Sequence, residues 1–245
     1  MTPIILIPAR MAATRLPGKP LLDIEGAPMI VRVLRCALAA GVGPVAVAAG
    51  DAEIVEAVEA AGGRAILTDP DLPSGSDRIL AALDAVDPDG RCDVVLNLQG
   101  DMPFVGADAL RACVSLFESG VAPDIATVVA PEASPADRSN PDVVKAVLSL
   151  DETGRRGRTH YFTRSTLYGD GPVWRHVGLY GYRPAALRAF NAAPPSPLEK
   201  RERLEQLRAL ELGLSIHAAV IDQAPISVDT AADLEAARAY ARAQS

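Results

Sequence analysis

The chain has 245 residues, 49% of them hydrophobic and 22% charged, with 24 Lys plus Arg against 31 Asp plus Glu and a formal net charge of −7. That balance excludes the basic face expected of a nucleic-acid binder, and no apolar run approaches the roughly 20 residues of a membrane span. Three well-separated cysteines, Cys36, Cys92 and Cys113, support neither a disulfide framework nor a zinc spacing, so a reducing cytoplasm is the expected compartment.

The segment from Met1 to Ile7 lacks the basic stretch of a secretory leader. Ile4 to Ile7 reads instead as a first strand, followed by a Pro- and Gly-punctuated loop to Pro20. Met29, Val33, Leu34 and Leu38 recur at helical spacing, and Gly41 marks the helix end. Val45 to Ala48 reads as a strand, a helix through Ile54, Val55 and Val58 stops at Gly62-Gly63, Ala65 to Leu67 is a strand and Ile79 to Val86 a helix. Asp93 to Leu98 is nearly continuous in apolar character, as in strands covered by helices on both faces. Repetition of this kind predicts an α/β fold with a Rossmann-like, mostly parallel central sheet and helices on both faces.

After about Ala130 the rhythm changes. Residues 131–141 form a loop by composition, and Val143 to Leu150, Tyr161 to Arg164 and Val177 to Tyr182 read as strands without long helices between them. They predict an antiparallel extension of the same sheet within one domain. Leu198 to Leu212 reads as one charged amphipathic helix, Ile216 to Val220 as a strand and Thr230 to Arg242 as a closing helix.

The strongest local signal is the loop after the first strand, Arg10-x-x-x-Thr14-Arg15-Leu16-Pro17-Gly18-Lys19-Pro20-Leu21. Ligands of open α/β sheets bind beyond the carboxyl ends of strands, where this loop lies. Small residues at Ala9, Ala12, Ala13 and Gly18 would let backbone N–H groups approach a polyphosphate while Arg10, Arg15 and Lys19 neutralise it. The spacing matches neither a Walker loop nor a Gly-x-Gly-x-x-Gly turn.

Other polar residues admit two readings each. In Ser74-Gly75-Ser76-Asp77-Arg78, Ser76 or Asp77 would serve as a helix N-cap, or the segment would meet a ligand. Asp101, after Gln99-Gly100, is either a turn former or a carboxylate for a hard divalent cation. Asp229 precedes Thr230-x-x-Asp233, a capping-box pattern that leaves its own carboxylate available. Glu205 and Gln206 lie about 100° and 200° round a helix from Leu204, off the stripe formed with Leu207 and Leu210.

The cationic loop resembles the signature of sugar-activating nucleotidyltransferases and, within them, of the 3-deoxy-manno-octulosonate (Kdo) cytidylyltransferases. The resemblance continues in order through Pro28 to Val31, Ala57 to Gly63, Ser74 to Arg78, Asn97 to Asp101, Asn140-Pro141, Tyr161 to Arg164, Gly178 to Arg183, Ser196 to Glu199, Leu204 to Arg208 and Val228 to Thr230. It implies transfer of CMP from CTP to Kdo, with residues 1–130 mainly binding CTP, 131–228 mainly binding sugar and dimerising, and 229–245 closing a single domain. Ala9, Arg10, Arg15, Lys19, Ser74, Ser76, Arg78 and Gln99 are implied CTP contacts. Gln99, Arg164, His176, Tyr180, Glu205 and Gln206 are implied sugar contacts. Asp101 and Asp229 are the implied magnesium pair, and Arg10, Lys19 and both aspartates the implied catalytic set. His160 and His217 are read as structural.

The resemblance also implies a cytoplasmic homodimer. Alternative expectations are a cytidylyltransferase for a sialic-acid or 8-amino-Kdo type of substrate, or a silent nucleotide-binding protein on the same fold. The sequence departs from the family pattern at Met102, where an acidic residue is common, in the short 165–174 segment, and at Ile226-Ser227, where glycines are common.

Overall fold

A computed structural model describes residues 1–12 and 15–244. Ala13, one of the small residues expected near a polyphosphate, lies outside the described residues. The chain divides into two compact units, residues 1–110 with 225–245, and residues 111–224.

In the first unit, β1 (Pro3–Ala9), α1 (Met29–Ala40), β2 (Val45–Ala49), α2 (Ala52–Ala60), β3 (Ala65–Leu67), α3 (Gly75–Val86) and β4 (Val94–Asn97) follow one another. The strands lie parallel in the order β3-β2-β1-β4. β2 and β4 are buried at every position, which accounts for their unbroken apolar runs. Helix α1 places Met29, Ile30, Val33, Leu34 and Ala37 on its buried side and ends at Gly41, whose φ of +64° suits a left-handed cap.

Helix α4 (Ala107–Glu118) leads into the second unit, where β5 (Ile125–Pro131), β6 (Lys145–Leu150), β7 (Arg156–Thr163) and β8 (Trp174–Tyr182) precede α5 (Pro184–Ala192), α6 (Pro197–Glu202), α7 (Gln206–Glu211) and β9 (Ile216–Val220). Its strands run in the order β8-β5-β9-β7-β6, and β6 also pairs with β8, closing a ring. Only β5 and β9 are parallel among these pairs. The sheet is therefore mixed, and the expectation of a mostly parallel sheet holds for the first unit alone. The physical reason is the connection: β6 reaches β7 through the short turn after Leu150, with no crossover helix to bring it back parallel.

Several expected boundaries shift: α3 begins at Gly75, β6 at Lys145 and β8 at Trp174, and two larger changes follow from the chain itself. β7 begins at Arg156 rather than Tyr161, because its inward positions near the start are Gly157 and Thr159, small or polar residues that hide the alternation. The single helix expected over 198–212 is two, broken at Arg203, whose φ is +57°. The chain then returns to the first unit with α8 (Ala231–Gln244). Leu234, Ala237 and Ala241 of α8 join Ile24, Met29 and Val228 in one cluster, with Leu16 and Leu22 packed against it. That apolar contact carries the segment before α8 onto the cationic loop.

Candidate active site

The cationic loop begins where β1 ends, and it is tied to the end of β2. Gly50 N–H donates to the Ala9 carbonyl at 2.9 Å, and Met11 N–H donates to Asp51 Oδ2 at 2.7 Å. Asp51 occupies the N-cap position of α2 yet makes no side-chain cap bond there; its carboxylate serves the loop instead. The sequence reading missed it, because Gly-Asp before a helix reads as an ordinary cap. Farther on, Gly18 at φ +67° turns the chain into a single 3-10 turn over Lys19–Leu21.

Lys19 is the centre of the site. Its Nζ donates to Asp101 Oδ2 at 2.9 Å, to Asp229 Oδ1 at 3.2 Å and to the Val228 carbonyl at 3.0 Å. Arg15 Nη2 lies 3.1 Å from the same Asp229 oxygen. A backbone bond holds the two aspartates in place: Val228 N–H donates to the Asp101 carbonyl at 2.9 Å. Asp233 caps α8 together with Thr230, accepting from both the N–H and the hydroxyl of Thr230 at 2.8 Å. The Asp229 carboxylate is thereby left to face Lys19 and Arg15, as the capping pattern in the sequence implied.

Burial alone would lower the Lys19 ammonium, but Asp101 and Asp229 outweigh it and hold the group above the ordinary lysine value. Burial pushes the Asp101 carboxyl up, Lys19 opposes that shift and Asp229 adds to it. The two carboxylates converge on Lys19, and Asp229 also meets Arg15, whose side chain is largely exposed; two acidic side chains held this close offer hard oxygen ligands to a divalent cation. Magnesium commonly takes one or two protein carboxylates, completing its shell with waters and substrate phosphates. Asp101 and Asp229 fit that role by chemistry and convergence. Among the described residues, no group of three or more His, Cys, Asp or Glu is placed to hold a metal.

A cavity of about 300 Å³ opens over these groups, lined by Ala9, Arg10, Arg15, Lys19, Ser74, Arg78, Gln99, Asp101 and Asp229. That size is at the lower end of small-molecule sites. Ser74, not Ser76 or Asp77, is the N-cap of α3, accepting from Asp77 N–H at 3.1 Å. Ser76 is 2% exposed, with its hydroxyl 2.8 Å from that of Ser74. Gln99 donates from Nε2 to Asn97 Oδ1 at 3.2 Å. Arg78 borders the cavity, but its guanidinium donates to Thr68 Oγ1 at 2.6 Å and to the carbonyls of Asp69 and Pro70 at 2.9 and 3.1 Å. It thus braces the segment after β3. A Cβ on Gly50 would stand 2.7 Å from Arg78 Nη1, so glycine there makes room for this brace.

The remaining candidates lie in the second unit. His176 and Tyr180 neighbour each other on β8, ring centroids 5.3 Å apart, and Phe162 meets His176 edge-on at 4.9 Å. Thr127 donates its hydroxyl to the Leu179 carbonyl at 2.8 Å, so its 3.1 Å contact with His176 Nε2 is one in which the imidazole donates. Burial pushes His176 down to about 3 and raises Tyr180 well above the ordinary tyrosine value. Glu205 makes an ion pair with Arg208 at 3.5 Å, and Gln206 is 8% exposed at the start of α7. Arg164 follows β7 and donates from Nη1 to the Pro141 carbonyl at 3.0 Å. His160 bonds Ser149 Oγ at 2.7 Å.

Residues 4–216 match the family model of the cytidylyltransferases. A 3-deoxy-manno-octulosonate cytidylyltransferase of Parvibaculum lavamentivorans is 57% identical over 97% of this chain and 92% of its own length. One of Rhodospirillum centenum is 55% identical over 97% and 92%. Among solved structures, a CMP-2-keto-3-deoxy-manno-octonic acid synthetase complexed with CTP superposes with a TM-score of 0.92 at 35% identity, covering both chains completely. The chain belongs to the cytidylyltransferase family and, within it, to the 3-deoxy-manno-octulosonate cytidylyltransferases.

Proposed function

We propose that this chain transfers CMP from CTP to the anomeric hydroxyl of Kdo, releasing pyrophosphate and supplying an activated sugar for lipopolysaccharide. The observation that carries the reading is the convergence of Arg15, Lys19, Asp101 and Asp229 beside one cavity in a chain of this family. In-line displacement at the α-phosphorus needs no side-chain nucleophile; it needs positioning and neutralisation of charge. Arg10, Arg15 and Lys19 hold the triphosphate and stabilise the departing pyrophosphate. Ala9 supplies backbone at the loop start, while Ser74, Ser76, Arg78 and Gln99 shape the nucleoside side. Arg164, His176, Tyr180, Glu205 and Gln206, with Gln99, take the sugar acid.

Asp101 and Asp229 would hold magnesium, which would supply positive charge at the reacting phosphate and make the attacking hydroxyl easier to deprotonate. Work as a single nucleotidyltransferase domain, as a homodimer and in the cytoplasm completes the reading, on family resemblance. Kdo-dependent pyrophosphate release from CTP tests it. Release is expected only with both substrates present, and Lys19→Met is expected to abolish it; release that ignores Kdo would contradict it.

A further inference from the structure

Arg164 is gripped from both sides by residues that the proposed chemistry does not use. Lys145, the first residue of β6, is 0% exposed. Its Nζ donates to the Arg164 carbonyl at 2.7 Å and to the Asn140 carbonyl at 2.9 Å. On the other side Glu202 Oε2 accepts from Arg164 N–H and from Thr163 Oγ1, both at 3.2 Å. The Arg164 side chain leans on the Pro141 carbonyl, next to the one Lys145 holds. The same strand start reaches His176, whose N–H donates to the Val144 carbonyl at 2.9 Å.

Taking a lysine wholly out of water is costly, and a fold that needed only packing would place a Leu or Met there. Burial pulls the ammonium below the ordinary lysine value and the Arg164 charge adds to that, while Glu202 and Asp137 oppose it. The site therefore keeps a charged clamp against an electrostatic cost. We propose that Lys145 is a positioning residue for sugar-acid recognition, fixing the backbone of Arg164, with Glu202 as the opposing clamp, so that the guanidinium meets an anionic substrate in one orientation. This rests on the reading that Arg164 takes the carboxylate of the sugar acid.

Steady-state kinetics on Lys145→Met, Arg164→Gln and the double variant test it, with KM measured separately for Kdo and for CTP. Misplacing a binding group by a fraction of an ångström weakens it severely, so Lys145→Met is expected to raise the Kdo KM about 10-fold. The CTP KM should stay within twofold, because the nucleotide groups lie in the other unit. If Lys145 acts through Arg164, the double variant has the Kdo KM of Arg164→Gln alone. A generally loosened fold would instead multiply the two effects or raise both KM values, and either result overturns the proposal, as does an unchanged Kdo KM in Lys145→Met. An unchanged Kdo KM in Arg164→Gln would overturn the sugar-acid assignment itself and the clamp's purpose with it. Should Lys145→Met fail to fold, Glu202→Gln carries the same test from the opposite side, with a smaller rise in Kdo KM and the same dependence on Arg164.

Discussion

Asp229 stands beside Lys19 because Thr230 and Asp233 complete the helix cap without it. Its substitution therefore separates two roles sharply. Asp101→Asn and Asp229→Asn keep the shape and remove a charge from the proposed magnesium pair. Each is expected to lower saturating turnover about 10²–10³-fold, with melting temperature nearly unchanged, and the double variant to fall well short of the product. Near-normal turnover in Asp229→Asn at saturating magnesium would remove it from the site. His176 carries a pH prediction of its own. Its folded value of about 3 lies below the ordinary histidine value near 6.5, so the unfolded chain takes up the proton first as pH falls. The contribution of neutral His176 is complete above roughly pH 6.5 and is lost below it, by up to about 1.4 kcal/mol per pH unit. His176→Gln keeps a donor for Thr127 and removes that dependence. The stability gap between wild type and variant should narrow by about 1–2 kcal/mol from pH 7 to pH 5; a constant gap in denaturant titrations would contradict it.

At the scale of elements, the apolar runs of β1, β2 and β4 and the helical spacing of α1 made half of the fold legible, because the strands are buried along their runs and Met29, Val33 and Leu34 of the α1 pattern are buried, although Leu38 is 52% exposed. The break at Arg203 was not legible, since no Gly or Pro marks it. It is set by tertiary contacts: Arg208 on α7 makes two bonds to Glu199 on α6, at 2.7 and 2.8 Å, and stacks over Phe190 at 4.5 Å. Folding the two helices together satisfies that buried pair, and Arg203 takes the left-handed turn between them. A left-handed geometry costs an L-residue roughly 1–2 kcal/mol. Arg203→Gly is therefore expected to raise the unfolding free energy by about 0.5–1 kcal/mol, after the glycine's extra unfolded-state entropy. Chemical denaturation checks this, and a loss of stability would show that the side chain of Arg203 matters more than its backbone.

For the molecule as a whole, the site is assembled from distant stretches that the sequence presents only as separate motifs. The loop of Arg10, Arg15 and Lys19 was legible from its place after β1, and Asp229 from the cap that follows it. The bond from Val228 N–H to the Asp101 carbonyl, which brings the aspartates together, depends on the packing of α8 against Ile24 and Met29 and has no local signature. The same holds for Arg78, whose residue type suggests a ligand contact while its guanidinium braces residues 68–70. The mixed sheet followed from short connections in the second unit, which periodicity alone does not order. This assembly is what activates Kdo with CTP in the proposed reaction. Pyrophosphate release should be measured for the four nucleoside triphosphates against Kdo, 8-amino-Kdo and a sialic acid. CTP with Kdo is expected to give the highest kcat/KM, with ATP and GTP lower by about 100-fold or more, since a base edge read by hydrogen bonds rejects the wrong base steeply. Equal turnover with ATP, or a sialic acid preferred over Kdo, would contradict it.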